Sequence, residues 1–473
     1  MVLSSEPATM DTLMVSMEPH NVWFPSVIEH LVERDWKTFE MKPKLAEKWE
    51  QVKPDTWRYT LKKGVKFQNG EPFNADAVAY DLTRIGDKDA ASRLQKFWPA
   101  GGKATKVDDN TIDVTSSTAD PIQPLRMQYL RLSAAKWYQD NPEERPIKLV
   151  GSGPYKFVEW NKGQYIRLTA ADTYWGPAPN IKDVTLIWRS EASVRAAMVR
   201  TGEADWAMDI AAEDTAKVPK FLSSNTVDSA IVRMDTENPV LKDRRVRTAV
   251  NLAFDKKIIV DKLFGGFAET PKGQVIGDYV LGFNPDLKPY PFDAEQAKKL
   301  VAEAKAAGIP TDTTELDYWI AKGRLPHWEE LAESLGDSWR KAGLNVKVLI
   351  QEQARWTEGW GAIKPGQKRA ALIGVPYSNE IGDSAQTMES LFRCGGRIST
   401  HCDKDLDAKI DAASTKTGNE RVKAYQALAQ QVYDDALAIP LFRIQAIFGL
   451  SKRLNFTPRT DGLMPVQEMS LTE

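Results

Sequence analysis

A polar loop in the last quarter of the chain carries the side chains best suited to chemistry. It follows the apolar run Ala371–Val375 and presents Tyr377, Asn379 and Asp383 within a few residues of one another. A buried strand that delivers an aromatic ring, an amide and a carboxylate to a loop is a common way to build a ligand site. The chemistry we expect is recognition, with Tyr377 and Asp383 holding one end of a small ligand and Asn379 beside them.

The sequence lacks the common motifs of catalysis. It has no GxSxG elbow, no phosphate-binding GxxxxGK[ST], no HExxH and no EF-hand loop. Its four histidines are scattered and offer no catalytic pairing; they are His20, His30, His327 and His401. We therefore predict that the protein is not an enzyme, and we predict no cofactor and no resident metal.

The two cysteines, Cys394 and Cys402, enclose a short segment that contains Gly395 and Gly396. These glycines make the segment flexible enough to bring the cysteines to disulfide distance. A zinc site needs two more good ligands nearby, and only His401 is offered. A disulfide is favoured over two free thiols and over a zinc site, and it indicates an oxidising compartment.

Composition limits the class of protein. With 473 residues and 42% hydrophobic content, the chain is expected to fold as two or three domains. A net charge of -2 provides no basic surface of the kind that nucleic acid requires, so we predict no nucleic-acid partner. No apolar run reaches about 18 residues, so we expect no segment that spans a bilayer. The first residues lack the features of a signal peptide, so the protein is either cytosolic or a mature form whose leader has been removed.

The elements that must position these side chains are predicted to mix helices and strands. Residues Trp57–Leu61 alternate as a half-buried strand does, and Asn74 is a helix cap before an apolar helix face. Helices are predicted at 293–307 and 327–342, and the second leads into a strand at 344–350. A helix followed by a strand at this spacing is typical of α/β units, so the predicted fold class is α/β.

Four sequence blocks, in order along the chain, resemble a single family. They are LAEKW at 45–49 with YTL at 59–61 and KGVKFQNGEPFNADAV at 63–78; GSGPYKF at 151–157 with YWG at 174–176; TGEAD at 201–205; and RVRTA at 245–249 with Asp255-Lys256. Together they resemble the solute-binding proteins of peptide, nickel and opine ABC importers, family 5. The resemblance covers nearly the whole chain.

The resemblance implies a two-lobed periplasmic-binding-protein fold with a subdomain inserted in the first lobe. Lobe one is expected at 1–40, 150–235 and 440–473, the inserted subdomain at 41–149, and lobe two at 236–439. Crossovers are expected at 231–238 and 436–442. The implied function is a monomeric periplasmic receptor that captures a small molecule between its lobes by hinge closure and delivers it to the membrane permease of an ABC importer.

The resemblance also implies roles for individual residues. Gly382-Asp383 precedes Leu391-Phe392-Arg393-Cys394 much as in peptide-binding members, where the aspartate pairs with the ligand's α-ammonium. Arg324, with Lys322 beside it, falls where dipeptide-type members place the anchor for a carboxylate, and the guanidinium fork suits a carboxylate better than an ammonium does. The predicted ligand is a short peptide or an amino-acid-derived zwitterion such as an opine.

Two other functions remain open. A receptor for a metal chelate or another polycarboxylate would use Arg93 and Arg131 together with Arg324. From a different class, a cytosolic hydrolase or a peptide-holding chaperone stays an alternative if the chain never carried a leader.

Further candidates for ligand contact are His20, Asn21 and Trp98.

Overall fold

The structure is a computed structural model that describes residues 1–15, 20–87, 90, 92–360 and 370–472. The chain forms two compact units. Unit 1 comprises Met1–Ser224 and Ala446–Glu473, and unit 2 comprises Asn225–Gln445. These boundaries fall at 224/225 and 445/446, whereas the family resemblance implies boundaries at 235/236 and 439/440.

The strands are numbered here in chain order. They are β1 Val2–Leu3, β2 Val32–Arg34, β3 Met41–Pro43, β4 Ala46–Lys53, β5 Thr56–Leu61, β6 Lys103–Asp108, β7 Thr111–Thr115, β8 Tyr155–Asn161, β9 Tyr165–Ala170, β10 Asp183–Trp188, β11 Trp206–Ala207, β12 Lys220–Met234, β13 Ala268–Glu269, β14 Leu316–Ala321, β15 Val346–Gln351, β16 Leu372–Ser378, β17 Ala438–Leu450, β18 Leu454–Asn455 and β19 Ser470–Leu471.

The α-helices are numbered in the same way. They are α1 Phe24–Val27, α2 Ala75–Gly86, α3 Gln123–Met127, α4 Ala135–Asp140, α5 Ala192–Thr201, α6 Arg244–Leu252, α7 Lys256–Leu263, α8 Ala294–Ala306, α9 Trp328–Lys341, α10 Gln353–Trp360, α11 Ser384–Thr387, α12 Lys404–Ser414 and α13 Gly418–Asp434. Within the described residues, none of the helices is both long and apolar enough to cross a membrane.

Side-chain caps begin several of these helices. The Asn74 Oδ1 atom accepts from the Ala77 amide at 3.1 Å at the start of α2. Asp293 caps α8 by accepting from the Gln296 amide at 2.8 Å. A capping oxygen satisfies an amide that has no partner inside the helix, so Asn74 and Asp293 fix where α2 and α8 begin.

Unit 1 contains a mixed sheet and a separate antiparallel sheet. In the mixed sheet β1 lies between β10 and β11 and runs parallel to both, while β9 and β8 follow β10 in antiparallel pairs. The second sheet has the strand order β4-β5-β7-β6. The core of unit 1 is built around large side chains that are less than 2% exposed, including Trp23, Phe24, Tyr155 and Trp206.

Two glycines of unit 1 allow close packing against α1. A Cβ atom at Gly151 would lie 1.9 Å from the Val27 carbonyl oxygen, and one at Gly153 would lie 2.6 Å from the Ser26 carbonyl oxygen. Since a real Cβ contact is essentially never that short, only glycine fits at either position.

Unit 2 is organised around a sheet with the strand order β15-β14-β16-β12. Strand β14 runs parallel to both β15 and β16, and β12 runs antiparallel to β16. Helix α9 packs against β14 and β15 and buries Trp328 and Trp339 completely. The alternation of α9, β15, α10 and β16 along the chain is that of an α/β unit.

Candidate functional site

One edge of the unit 2 sheet brings together four of the predicted site residues, namely Lys322, Arg324, Asn379 and Asp383. Because β14 and β16 are parallel, their carboxyl ends meet at the same edge, and the register of β12 places Asp228 opposite Ser378 there. We call this the unit 2 edge; it comprises Lys322 and Arg324 after β14, residues 378–383 at and beyond the end of β16, and Asp228 on β12. In open α/β sheets, ligands bind beyond the carboxyl ends of parallel strands.

Tyr377 and Asn379 are buried, and both side chains form a hydrogen bond with Thr387. The Tyr377 hydroxyl donates to Thr387 Oγ1 at 2.8 Å, and burial raises the pKa of this phenol to about 12. The Asn379 amide nitrogen donates to the same Thr387 oxygen at 2.8 Å and to the Asp383 carbonyl at 2.9 Å, and its oxygen accepts from the Gly382 amide at 2.9 Å. Both side chains fix the loop that follows β16.

Asp383 has a partner inside the protein. It is fully buried, and its two carboxylate oxygens accept from the Nε and Nη2 atoms of Arg421, each at 2.8 Å. One of these oxygens also accepts from the Ala385 amide at 2.8 Å and so caps α11. A ligand ammonium could reach this carboxylate only by displacing Arg421, so the role that the sequence analysis gives Asp383 stays a prediction that this geometry does not favour.

Arg421 lies on α13, 38 residues beyond Asp383. Its Nη1 atom donates to the carbonyl oxygens of Ser414 and Lys416, at 2.7 and 3.2 Å, so the guanidinium also ties α13 to the end of α12. Sequence reasoning missed Arg421 because its partners come from distant segments. An arginine in the first turns of an amphipathic helix carries no signal that separates it from a solvated surface residue.

Asp228 was also missed, and the structure places it at the unit 2 edge. It is partly buried, and the Ser378 hydroxyl donates to its Oδ1 atom. Within the described ranges, no Lys, Arg or His nitrogen lies within 4.0 Å of its carboxylate. The available signal was an acidic residue just before the apolar run 230–232.

The two basic candidates of this edge are solvent-exposed. Lys322 lies 3.7 Å from Glu352, an ion pair between two exposed side chains. Arg324 makes no ion pair with any residue that the structure describes. The loop between them is held by the Gly323 amide, which donates to Glu329 Oε1 at 2.7 Å. Arg324 is thus available to a carboxylate.

The arginines of unit 1 differ from each other. Arg131 is buried, and its Nη1 atom donates to the carbonyl oxygens of Thr12 and Val15 at 3.3 and 2.7 Å. Burial lowers the pKa of Arg131 to about 10. Arg93 is exposed, and its amide donates to the Leu13 carbonyl at 2.8 Å. Arg131 therefore holds the segment around residues 12–15, while Arg93 is free to face solvent.

The remaining candidates of unit 1 lie in its interior where they are described. Trp98 is 9% exposed, and its indole nitrogen donates to the Gly102 carbonyl at 3.2 Å. Asn21 is 3% exposed, and its carbonyl oxygen accepts from the Met464 amide at 3.1 Å. The side chain of His20 lies outside the described part of the structure.

The predicted disulfide between Cys394 and Cys402 is confirmed, with a Cα–Cα distance of 4.3 Å. The Cys394 amide donates to Asp407 Oδ1 at 2.9 Å, which joins the closed loop to α12. In the described ranges, no group of three or more His, Cys, Asp or Glu side chains is arranged to hold a metal ion.

Comparison with known proteins identifies the family. The model of the bacterial extracellular solute-binding proteins, family 5 (middle region), matches residues 40–396. The chain belongs to this family. The resemblance predicted from the four sequence blocks is therefore confirmed.

Individual family 5 proteins are similar over nearly their whole length. The chain is 27% identical to Heme-binding protein A of Haemophilus influenzae over 93% of this chain and 86% of that one. It is 28% identical to the Dipeptide-binding protein of Escherichia coli, over 86% of this chain and 82% of that one. The solved structure of HbpA2 from Haemophilus parasuis matches with a TM-score of 0.87 and 25% identity, covering 100% of this chain and 99% of that one.

These matches confirm the predicted two-lobed α/β binding-protein fold. Members of family 5 are solute-binding proteins of ABC importers, located in the periplasm or outside the cell, and they are binding proteins rather than enzymes. The chain is accordingly a solute-binding protein that works with an ABC permease.

Proposed function

We propose that this protein is the periplasmic receptor for a short peptide or an amino-acid-derived zwitterion such as an opine. The observation that carries the proposal is the pair of charges at the unit 2 edge. Asp228 is a partly buried carboxylate without a cationic partner among the described residues, and Arg324 is a guanidinium without an anionic one. A zwitterion supplies both missing charges.

The positions of the strands suit a ligand of two or three residues. Strands β14 and β12 flank β16, so they lie about 9 to 10 Å apart. An extended peptide of two or three residues spans about 7 to 10 Å. With Asp228 on the ammonium and Arg324 on the carboxylate, both ends of such a peptide gain a charged partner.

The relatives support the same ligand class. One of them is named a dipeptide-binding protein, and it matches this chain over most of its length. Capture between two lobes by hinge closure and the monomeric state stay predictions of the family resemblance, and the absence of enzymatic activity stays a prediction from the missing catalytic motifs. The ligand class can be tested without knowing whether these predictions hold.

Calorimetric titration with Ala-Ala and Ala-Ala-Ala tests the proposal. The wild-type chain is expected to bind at least one of them. Asp228→Asn and Arg324→Gln should each weaken binding by about 1 to 3 kcal/mol, which is roughly 5- to 150-fold, because each removes one charge of a partly desolvated pair. Asp261→Asn, which breaks an exposed helix ion pair with Lys257, serves as the control and should leave the Kd unchanged.

Two outcomes would overturn the proposal. Ligand retained through native purification, identified by native mass spectrometry as a molecule without a cationic nitrogen, contradicts the zwitterion class. Unchanged affinity in both Asp228→Asn and Arg324→Gln contradicts the assignment of the two anchors.

A second candidate is a receptor for a metal chelate or another polycarboxylate. The relative named Heme-binding protein A favours it, since heme carries two carboxylates and a metal. Of the arginines assigned to that function, Arg131 is already bound to two backbone carbonyls, so Arg93 and Arg324 remain for it. Binding of hemin or of nickel with histidine, in preference to dipeptides, would select this candidate.

A further inference from the structure

The pairing between β12 and β16 ends at the unit 2 edge, with Asp228 opposite Ser378. Residues directly opposite each other in antiparallel strands direct their side chains to the same face of the sheet. The Ser378 hydroxyl reaches across and donates to the Asp228 Oδ1 atom. This hydrogen bond joins the proposed ammonium anchor to the neighbouring strand, and both residues belong to unit 2.

The face of the sheet that carries this pair is the one that α9 covers. Side chains alternate along a strand, so Ala230 and Val232 share the face of Asp228. Both are fully buried in the core to which α9 contributes Trp328. The loop that carries Arg324 leads from β14 into α9, so it reaches the same side of the unit 2 sheet.

The backbone of Asp228 is fixed by other groups. Its amide donates to the Thr226 Oγ1 atom at 3.2 Å, and the Thr226 hydroxyl donates to the Ile444 carbonyl on β17 at 3.0 Å. These contacts hold the main chain but leave the side-chain rotamer undetermined. Ser378 is the residue that restrains the carboxylate itself.

A restrained carboxylate binds an ammonium more tightly than a mobile one. Immobilising one side chain on binding weakens affinity by about 2- to 13-fold, and a carboxylate that is already held avoids this cost. A donor to a charged oxygen also makes a stronger hydrogen bond than a donor to a neutral one, so a single serine is an effective restraint. The second oxygen of the carboxylate can still accept from the ligand.

We propose that Ser378 is a positioning residue for the recognition of a free amino terminus. It holds the Asp228 carboxylate in the rotamer in which the ammonium of the ligand meets it. This inference rests on the proposed function, because it assumes that Asp228 binds the ammonium. It adds a residue that acts through Asp228 rather than on the ligand.

Two variants at this position test the inference by calorimetric titration with Ala-Ala, or with Ala-Ala-Ala if it binds more tightly. Ser378→Ala removes the hydroxyl and should weaken binding about fivefold. Ser378→Thr keeps a hydroxyl and suits a strand, so its Kd should stay within twofold of wild type. The matched control is Ser229→Ala, next to Asp228 on β12 with its side chain on the opposite face, and its Kd should not change.

A second ligand separates positioning from a general change at the edge. The N-lactoyl counterpart of the peptide carries a hydroxyl in place of the ammonium, so it lacks the charge that Asp228 is proposed to bind. Its affinity, measured by displacement of the peptide, should change less than twofold in Ser378→Ala. The wild-type preference for the peptide should therefore fall about fivefold in that variant, and Ser378→Thr should keep it. Urea unfolding of the same variants measures stability, and a loss of stability alone would not alter this preference.

The outcomes distinguish this inference from the function on which it rests. Peptide binding that stays within twofold of wild type in Ser378→Ala overturns the role of Ser378 and leaves the proposed function standing. Equal losses in Ser378→Ala and Ser378→Thr, or equal losses for the peptide and its N-lactoyl counterpart, overturn that role as well. A wild-type chain that binds neither Ala-Ala nor Ala-Ala-Ala overturns both.

Discussion

The ion pair between Asp383 and Arg421 gives the sharpest test of how unit 2 is built. We consider Asp383→Asn, which keeps the size of the side chain and an oxygen that can still accept from the Ala385 amide. The new amide nitrogen replaces an oxygen that accepts from Arg421, so a donor faces a donor. A buried guanidinium, whose side chain is 4% exposed, then loses its counter-charge.

The magnitude follows from this burial. Removing one partner of a buried ion pair costs about 3 to 5 kcal/mol, because the other charge stays desolvated. At about 2 to 4 °C per kcal/mol, the melting temperature of Asp383→Asn should fall by roughly 6 to 20 °C. The matched control is Asp261→Asn, where the pair with Lys257 is 50% and 82% exposed, and the expected cost is about 0 to 1 kcal/mol.

Urea unfolding followed by far-UV circular dichroism measures the change, and calorimetry with the bound ligand measures affinity. The double variant Asp383→Asn with Arg421→Met should be less destabilised than the sum of the two single variants, because the charge left behind is gone. A large loss of affinity with unchanged stability would refute this reasoning. That result would instead support the direct contact between Asp383 and the ligand's ammonium.

Two further predictions concern stability. Replacing Cys394 and Cys402 by serine, or reducing their disulfide, should lower the free energy of unfolding by about 2 to 3 kcal/mol, as measured by urea unfolding, because the loop between them spans 8 positions. Asp81 is fully buried against the Ser133 hydroxyl and amide, and burial raises its pKa to about 7. Between about pH 4 and 7 the folded chain therefore keeps a proton that the unfolded chain releases, so stability should fall as pH rises through that window, by up to about 4 kcal/mol. Asp81→Asn should remove that part of the slope in unfolding measurements at pH 4.5 and 7.5, and an unchanged slope would contradict the burial argument.

Local signals predicted much of the fold. The cap at Asn74, the helix at 327–342 and the strand at 344–350 correspond to α2, α9 and β15 within one or two residues at most ends. The apolar positions from Val246 to Ile258 fit the face of a single helix, but the structure has α6 and α7. The reason is Asp255, whose side chain accepts from the amides of Lys257 and Ile258 and starts a new helix.

Elements that depend on distant contacts were predicted less well. Pro25 suits the first turn of a helix, yet α1 spans only Phe24–Val27 and the chain continues to β2. There Glu29 is buried and accepts from Tyr174, Trp175 and Ser152, more than a hundred residues away. The same limit applies at the candidate site, because the roles of Arg421 and Asp228 depend on contacts with distant segments that no local sequence pattern reveals.

The discontinuity of unit 1 bears on how the chain is assembled during synthesis. Strand β11 pairs with β1 and also with the end of β17, through Trp206 opposite Leu450, so the sheet of unit 1 needs residues that follow unit 2 in the chain. Unit 2 is a single continuous stretch, and its contacts are all available earlier. On a ribosome or a secretion pore, unit 2 can therefore complete its fold first. Unit 1 stays unfinished, with an open sheet edge, until the residues after unit 2 emerge.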